Sequence, residues 1–172
     1  MPNWGRTASL TVIAFRSVNA PGSAAYDPGL QRHHLLPRQL LSQRCFGAMF
    51  AHLGRVRVGF DDFRRNGLLL PATEAATIRT GMPLHRGPHR RYNEVVIARV
   101  GRIEVSWANT RRHDEQAALA DALLRLELLQ GALRRRLLAE RRRVVLNRKD
   151  PLGTGFDFTE LDAMAEALWM AE

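Results

Sequence analysis

Four of the six histidines lie in two close pairs, a grouping that could bind a divalent metal ion. His33 and His34 are adjacent, and His85 and His89 follow them downstream. Two imidazoles alone do not complete a metal site, so we expect each pair to supply ligands to a shared one. The single cysteine, Cys45, excludes a Cys-based zinc site. The ligands must therefore be His, Asn or carboxylate groups.

The downstream pair stands at a predicted helix start. Pro88 follows a glycine and precedes a periodic apolar run, and proline fits the first helical position because an N–H there has no partner anyway. A helix from Pro88 places His89 and Asn93 four residues apart on one face. His85 then lies in the preceding loop. We expect His89 to bind metal, and Asn93 lies within reach of the same ion.

The upstream pair lies in a short predicted strand, residues 30–36, that ends at Pro37. Neighbouring residues on a strand point to opposite faces, so His33 and His34 are not expected to bind the same ion. One can bind metal while the other acts as a general base, because an unperturbed pKa of about 6.5 suits proton abstraction from water. The ion would polarise a phosphate and stabilise the charge on the leaving oxygen.

Short strands and helices alternate around these pairs, which predicts an α+β fold. Asn66-Gly67 is a turn signal ahead of a second short strand at 68–70. The helix at 114–143 has an apolar face broad enough for cover from the core and from a second subunit. We also predict a buried strand at 9–15, helices at 40–53 (ended by Gly54) and 88–107, a loop at 147–158, and a terminal helix at 159–170.

The net charge of +9 is concentrated in the part of the chain that carries the histidine pairs. Residues 1–110 hold 15 Arg against 6 acids, whereas residues 111–172 hold 11 basic residues against 11 acids. Positive charge beside a metal site favours a polyanionic substrate, because counterions are released when phosphates bind. Arginine also presents a planar fork that suits phosphate.

Three blocks in this order resemble the AHH family of HNH nucleases, in the ββα-metal superfamily. The blocks are residues 32–37, 61–71 and 84–93, and the resemblance covers about residues 30–107. It implies that two strands and a helix clamp one divalent metal and that the protein cleaves phosphodiesters. The alanine of the family's name is Arg32 here, which could contact phosphate or alter strand packing.

The resemblance also implies roles for single residues. His34 resembles the general base and His33 the adjacent metal ligand. His89 and His85 resemble the downstream ligand and phosphate-contacting positions, with their assignment open. Asn93 is either a further ligand or a helix-face brace. Asn66 resembles the Asn that orients the base or braces the hairpin. The cations expected to grip substrate phosphates are Arg86, Arg90 and Arg91, the last two at a helix start where backbone N–H groups favour an anion.

Together these inferences predict one domain with a ββα-metal (HNH-like) core, an inserted helix and a long helical C-terminal extension. Its parts are an N-terminal arm or strand with a linker (1–28), the core (29–108) and the extension (109–172). The expected activity is metal-dependent endonuclease cleavage. The alternatives are a non-catalytic nucleic-acid-binding or interaction module with a structural metal, and an enzyme of the same fold acting on a non-nucleic-acid substrate.

The expected cofactor is one divalent ion: three His ligands suit Zn²⁺ or Ni²⁺, whereas an Asn ligand suits Mg²⁺ or Mn²⁺. The expected partner is nucleic acid, with DNA favoured over RNA. A second copy of this chain could bind through the 114–143 helix to form a homodimer. If this protein is a toxin, an immunity protein is a further possible partner. We expect no membrane span and a cytoplasmic location, with secreted delivery as the alternative.

Overall fold

The computed structural model describes residues 11–139 and 144–152, and it confirms the α+β class. Two strands form one antiparallel sheet, and helices surround it. The elements are β1 (Leu30–His34), α1 (Gly47–Leu53), α2 (Arg55–Val58), α3 (Phe63–Asn66), β2 (Gly67–Pro71), α4 (Glu74–Thr80), α5 (Arg90–Thr110) and α6 (Glu115–Leu138). Single 3₁₀ turns cover Phe15–Ser17, Arg38–Ser42 and Arg44–Phe46.

The two strands pair over their full length although three short helices separate them in the chain. His33 lies opposite Leu68 and His34 opposite Gly67. The predicted turn at Asn66-Gly67 is instead the junction at which α3 ends and β2 begins. A Cβ on Gly67 would collide with the ring of Phe63, so glycine is needed there for space. This close junction brings β2 against the end of β1 that carries the histidines.

Helix α5 begins at Arg90, so the prediction that it begins at Pro88 was wrong. Gly87 has a positive φ of 78°, and His89 has φ −107° and ψ 66°, which is not helical. His89 is therefore the N-cap, and its carbonyl accepts a hydrogen bond from the N–H of Asn93 at 3.1 Å. The Gly-Pro step forms an irregular loop before the helix rather than its first turn.

Helices α5 and α6 pack side by side and carry much of the core. The predicted apolar positions Val96, Val100, Ile103 and Trp107 on α5 are all buried. On α6, Leu126, Leu133 and Leu137 are buried, whereas Leu124, Leu128 and Leu138 are exposed. Asp114 caps α6 by accepting from the N–H of Ala117 at 2.9 Å. Within the described residues, no helix is long and apolar enough to cross a membrane.

The N-terminal segment is not the buried strand that we predicted for 9–15. Over its described part it makes a single β-bridge, Ala14 to Asp62, and Val12 and Ile13 are 53% and 37% exposed. The segment is held by polar contacts: the N–H of Phe63 donates to the carbonyl of Ile13 at 2.7 Å. An apolar run too short to reach the core therefore becomes an arm on the surface.

The remaining differences are local. The first strand ends at His34 rather than at residue 36, and the predicted helix at 40–53 begins with two 3₁₀ turns before α1. Gly54 ends α1 as predicted, with a φ of 78°. Helix α4 was not predicted. The terminal helix expected at 159–170 and the end of the loop expected at 147–158 lie outside the described residues.

Candidate metal centre

Three imidazoles converge where the end of β1 meets the loop before α5. His33, His85 and His89 each offer a ring nitrogen, and these three atoms lie within 4.8 Å of one another. The ring centroids are 4.8 Å apart for His33 and His85, and 4.5 Å for His85 and His89. We call this group the three-histidine cluster. It joins residues from both pairs in the sequence.

Burial keeps the three-histidine cluster uncharged. It lowers the pKa of His33 well below its ordinary value, with a further lowering from His85 and His89. Burial, followed by the neighbouring His89, lowers the pKa of His85 to about 4. Burial also lowers the pKa of His89, against the opposing effect of a hydrogen bond that its ring donates to the backbone of Gly87. Neutral imidazoles carry the free lone pair that a metal ion requires.

Two nitrogens of the cluster are buried and have no hydrogen-bond partner within the part of the chain that the structure describes. They are Nε2 of His33 and Nδ1 of His85. A buried polar atom left unpaired costs about 1–3 kcal/mol, so such atoms call for a ligand. A divalent ion would satisfy both at once. The residues present therefore fit a metal ion of the kind that imidazoles prefer.

Tyr92 is buried beside the cluster. Its ring centroid lies 5.0 Å from that of His33, and its hydroxyl donates to the carbonyl of Leu35 at 2.8 Å. Burial raises the pKa of its hydroxyl, which stays protonated. Tyr92 thus fastens the first turn of α5 to the end of β1, and so fixes one face of the cluster.

The loop that carries His85 is held on two sides. The N–H of His85 donates to the carbonyl of Pro71 at the end of β2, at 2.7 Å. On the other side, the carboxylate of Asp150 accepts from the N–H of Leu84 at 2.8 Å, and the side-chain amide of Asn147 donates to the carbonyl of Arg86. Residues from the C-terminal extension therefore position the loop of the metal centre.

His34 lies away from the cluster and stacks on an aromatic ring from the N-terminal arm. Its ring centroid is 3.7 Å from that of Phe15, and the two planes differ by 3°. Burial, with a smaller contribution from Arg38, lowers the pKa of His34 to about 4, against an opposing effect of Asp61. The structure thus separates His34 from His33, as expected for neighbours on a strand.

Asn66 is fully buried and bridges the segments on either side of the sheet junction. Its Oδ1 accepts from the N–H of Leu36 at 2.7 Å, and its Nδ2 donates to the carbonyls of Leu36 and Phe60, each at 3.2 Å. All of these partners are structural. The resemblance left two roles open for Asn66, orienting the base or bracing the hairpin. These contacts are of the kind expected for bracing.

The structure places Asn93 beside Gln39, to whose Oε1 its Nδ2 donates at 3.2 Å. Its Oδ1 is buried and has no partner among the described residues. Arg32 donates from its guanidinium to the carbonyl of Phe15 at 3.0 Å, and so fastens the arm next to His34. The other three expected phosphate contacts, Arg86, Arg90 and Arg91, are exposed residues of the loop and first turn of α5.

Sequence reasoning missed several residues that support this centre. Nothing in the pattern marks Phe15 as the stacking partner of His34, because it stands far upstream in an apolar run. Asp150 and Asn147 lie in a segment that reads as an ordinary loop. The turn signal of Asn147 and Asp150 beside Pro151 was available, but it indicates a turn rather than a contact with residues 84–86.

The structure has an antiparallel strand pair followed by a helix, and histidines from β1 and from the start of that helix converge on one point. This arrangement defines a ββα nuclease-like protein with a candidate metal centre. The chain belongs to the AHH family, a nuclease family of the HNH/ENDO VII superfamily with a conserved AHH, whose model matches residues 15–131. Neither the curated proteins nor the solved structures contain a match. The family supports nuclease activity and, with it, a nucleic-acid substrate.

Proposed function

We propose that this protein is a metal-dependent endonuclease that hydrolyses phosphodiester bonds of DNA or RNA. The observation that carries the proposal is the three-histidine cluster, whose neutral, partly orphaned nitrogens converge within 4.8 Å inside the region that matches a nuclease family. An ordinary core would not collect three imidazoles around two buried nitrogens that have no hydrogen-bond partner among the described residues.

In this proposal His33, His85 and His89 hold one divalent ion. When bound, the ion polarises the phosphate and stabilises the charge that develops on the leaving oxygen. Three nitrogen ligands favour Zn²⁺ or Ni²⁺, and participation of the unpaired Oδ1 of Asn93 would favour Mg²⁺ or Mn²⁺. Both His85 and His89 are assigned to the metal here because both contribute to the cluster.

His34 is the proposed general base. Its low pKa keeps it neutral and able to accept a proton at physiological pH. A phosphate bound nearby adds negative charge, which favours the protonated imidazole and raises the pKa toward the working range. The stacked ring of Phe15 fixes the plane of the imidazole, and Arg32 fixes Phe15. Asn66 braces the backbone beneath the base and so orients it indirectly.

Positive groups around the cluster would bind the substrate. Arg86 lies in the loop beside His85, and Arg90 and Arg91 lie in the first turn of α5, whose backbone N–H groups also favour an anion. Arg32 would contact a phosphate beside His34, because its guanidinium donates to the carbonyl of Phe15, whose ring stacks on His34. These cations would neutralise phosphate charge before and during cleavage.

The decisive experiment compares cleavage of plasmid DNA and of RNA by wild type and His34→Ala, each with Zn²⁺, Ni²⁺, Mg²⁺ or Mn²⁺ supplied. We expect the variant to lose on the order of 10² in rate or more, because general-base catalysis is worth about that much. His113→Ala, a change at an exposed histidine outside the cluster, is the matched control and should cleave like wild type. Equal activity of wild type and His34→Ala would remove His34 from the mechanism.

Other outcomes favour the alternatives. Stoichiometric metal and salt-sensitive nucleic-acid binding without cleavage would indicate a binding module with a structural ion. Absence of affinity for any polynucleotide would redirect the search to another substrate. The preference for DNA over RNA, an immunity protein as partner, and a cytoplasmic location remain predictions from the sequence.

A further inference from the structure

A cleft with a volume of about 580 Å³ opens beside the three-histidine cluster. One wall is the first turn of α5, with His89, Arg90 and Arg91, and the opposite wall is the stretch Asn147, Arg148 and Lys149. Among the described residues that line the cleft, Glu94 is the one acid, and it stands against four cations. Because His89 belongs both to the cleft lining and to the three-histidine cluster, a ligand in the cleft would lie next to the candidate metal centre.

The second wall is built into the fold. Val144 and Leu146 are buried in the core. Asp150 holds the N–H of Leu84, and Asn147 holds the carbonyl of Arg86, so the wall is fastened to the loop of the cluster at two points. Arg148 and Lys149 are both exposed between these anchors. The backbone that carries the two cations is therefore anchored to the loop of the cluster on both sides.

We propose that this cleft binds the phosphodiester backbone flanking the bond that is cut, and that Arg148 and Lys149 contact phosphates there. The proposal rests on the proposed nuclease function. Two cations on each wall are suited to a ligand with repeated negative charge, because each contact releases a counterion. The family's matched region ends at residue 131, so this wall comes from outside it. The substrate it selects is a polynucleotide rather than an isolated phosphodiester.

The test uses the double variant Arg148→Gln/Lys149→Gln in the full chain. The matched control is Arg111→Gln/Arg112→Gln, an exposed basic pair at the other end of α5, about 30 Å along the helix axis. Binding to fluorescein-labelled single-stranded and duplex oligonucleotides is measured in EDTA over a series of salt concentrations. Cleavage of plasmid DNA is compared with hydrolysis of bis(p-nitrophenyl) phosphate, which has no flanking phosphates.

We expect Arg148→Gln/Lys149→Gln to bind the oligonucleotides about tenfold more weakly or worse. The negative slope of log K against log salt should become shallower by about 2, because two phosphate contacts are lost. The ratio of kcat/KM for DNA to that for bis(p-nitrophenyl) phosphate should fall by about the same factor as the affinity. The control should keep the wild-type slope and ratio. Circular dichroism and thermal unfolding confirm that both variants fold.

Two results would overturn the proposal. An unchanged salt slope would show that the cleft does not hold phosphates, and would leave it to an acidic protein partner. Equal loss on both substrates would show that the two residues act on the cluster rather than on flanking phosphates. The binding experiment needs no turnover, so it distinguishes failure of this proposal from failure of the nuclease function, which the cleavage experiment alone reports.

Discussion

Asn66 is a residue whose type is dictated by its hydrogen bonds. The two atoms of its amide serve the N–H and carbonyl of Leu36 and the carbonyl of Phe60, all in the interior. An amide is needed because it donates and accepts at the same place. The sequence marks this position only by resemblance and by a turn signal, since nothing in an Asn-Gly pair indicates which distant backbone groups it will meet.

We expect Asn66→Ala to lower the free energy of unfolding by about 2–4 kcal/mol, because it leaves several buried backbone groups unpaired. Urea unfolding followed by circular dichroism measures the change. Asn109→Ala, at an exposed position near the end of α5, is the control and should change stability by less than about 0.5 kcal/mol. If Asn66→Ala kept the wild-type free energy of unfolding but lost cleavage, the role of Asn66 would instead be to orient the base.

The three-histidine cluster predicts an acid-sensitive metal-free protein. The pKa of His33 is lowered well below 6.5 and that of His85 to about 4, in both cases mainly by burial. The unfolded chain therefore binds more protons than the folded chain below about pH 6.5, and the stability present above that pH is lost as the pH falls toward 4. In EDTA we expect Tm to fall by roughly 3 °C or more between about pH 7.5 and about pH 5.

The matched control for this pH series is His33→Leu/His85→Leu, which removes the two titrating groups. Its Tm should depend less steeply on pH than that of wild type. Parallel curves for the two proteins would contradict the assignment of the effect to these histidines.

At the scale of elements, the loop before α5 explains why prediction of the site from sequence was only partial. Helices α5 and α6 were predicted from periodicity, because apolar residues recur at helical spacing along both. The two strands were predicted from short runs that end at proline, the second preceded by the Asn66-Gly67 turn signal. The predicted start of α5 was wrong because Gly87 and His89 adopt non-helical backbone angles. The presence of proline at position 88 does not indicate those angles. Contacts from Asp150 to this loop depend on tertiary packing, and local pattern carries no information about them.

Asp150 is predicted to act as a positioning residue for the metal centre. In Asp150→Ala the N–H of Leu84 loses its carboxylate partner, which frees the loop that carries His85. We expect affinity for Zn²⁺ or Mn²⁺, measured by calorimetric titration, to fall by about 10- to 100-fold, as for other groups that orient metal ligands.

Glu127→Ala, at an exposed position on α6, serves as the control for Asp150→Ala and should bind metal like wild type. A thermal unfolding measurement of each metal-free variant separates loss of the site from loss of the fold. Unchanged metal affinity in Asp150→Ala would show that the contacts of Pro71 and Asn147 are enough to hold the loop.

For the whole molecule, α6 still has an exposed apolar side after the core is covered. Leu124 and Leu128 are 55% and 37% exposed and stand four residues apart, so they share one side of the helix. The homodimer expected through this helix stays a prediction. Sedimentation equilibrium should give twice the chain mass for wild type and a monomer for Leu124→Glu/Leu128→Glu. Val105→Glu, at a comparably exposed position on α5, should remain a dimer.

The charge distribution was the global property most directly available from the sequence. Excess arginine in residues 1–110 indicated a polyanionic substrate, and the structure places Arg90 and Arg91 beside the three-histidine cluster. The balanced charge of residues 111–172 concealed the contribution of Arg148 and Lys149, although Asp150, the acid next to them in the sequence, does not line the cleft. Net charge by segment cannot describe a surface that the fold assembles from both segments.

The separation of the cluster's residues along the chain has a consequence for folding. His33 is joined to His85 through a loop of about 50 residues, which must close before the two rings can meet. An ion bound by both would act as a removable crosslink, comparable in its effect on chain entropy to a disulfide that closes a loop of that length, which is worth about 4 kcal/mol. Chelation should therefore speed unfolding as well as abolish activity, so the supply of metal would set how long each folded molecule survives.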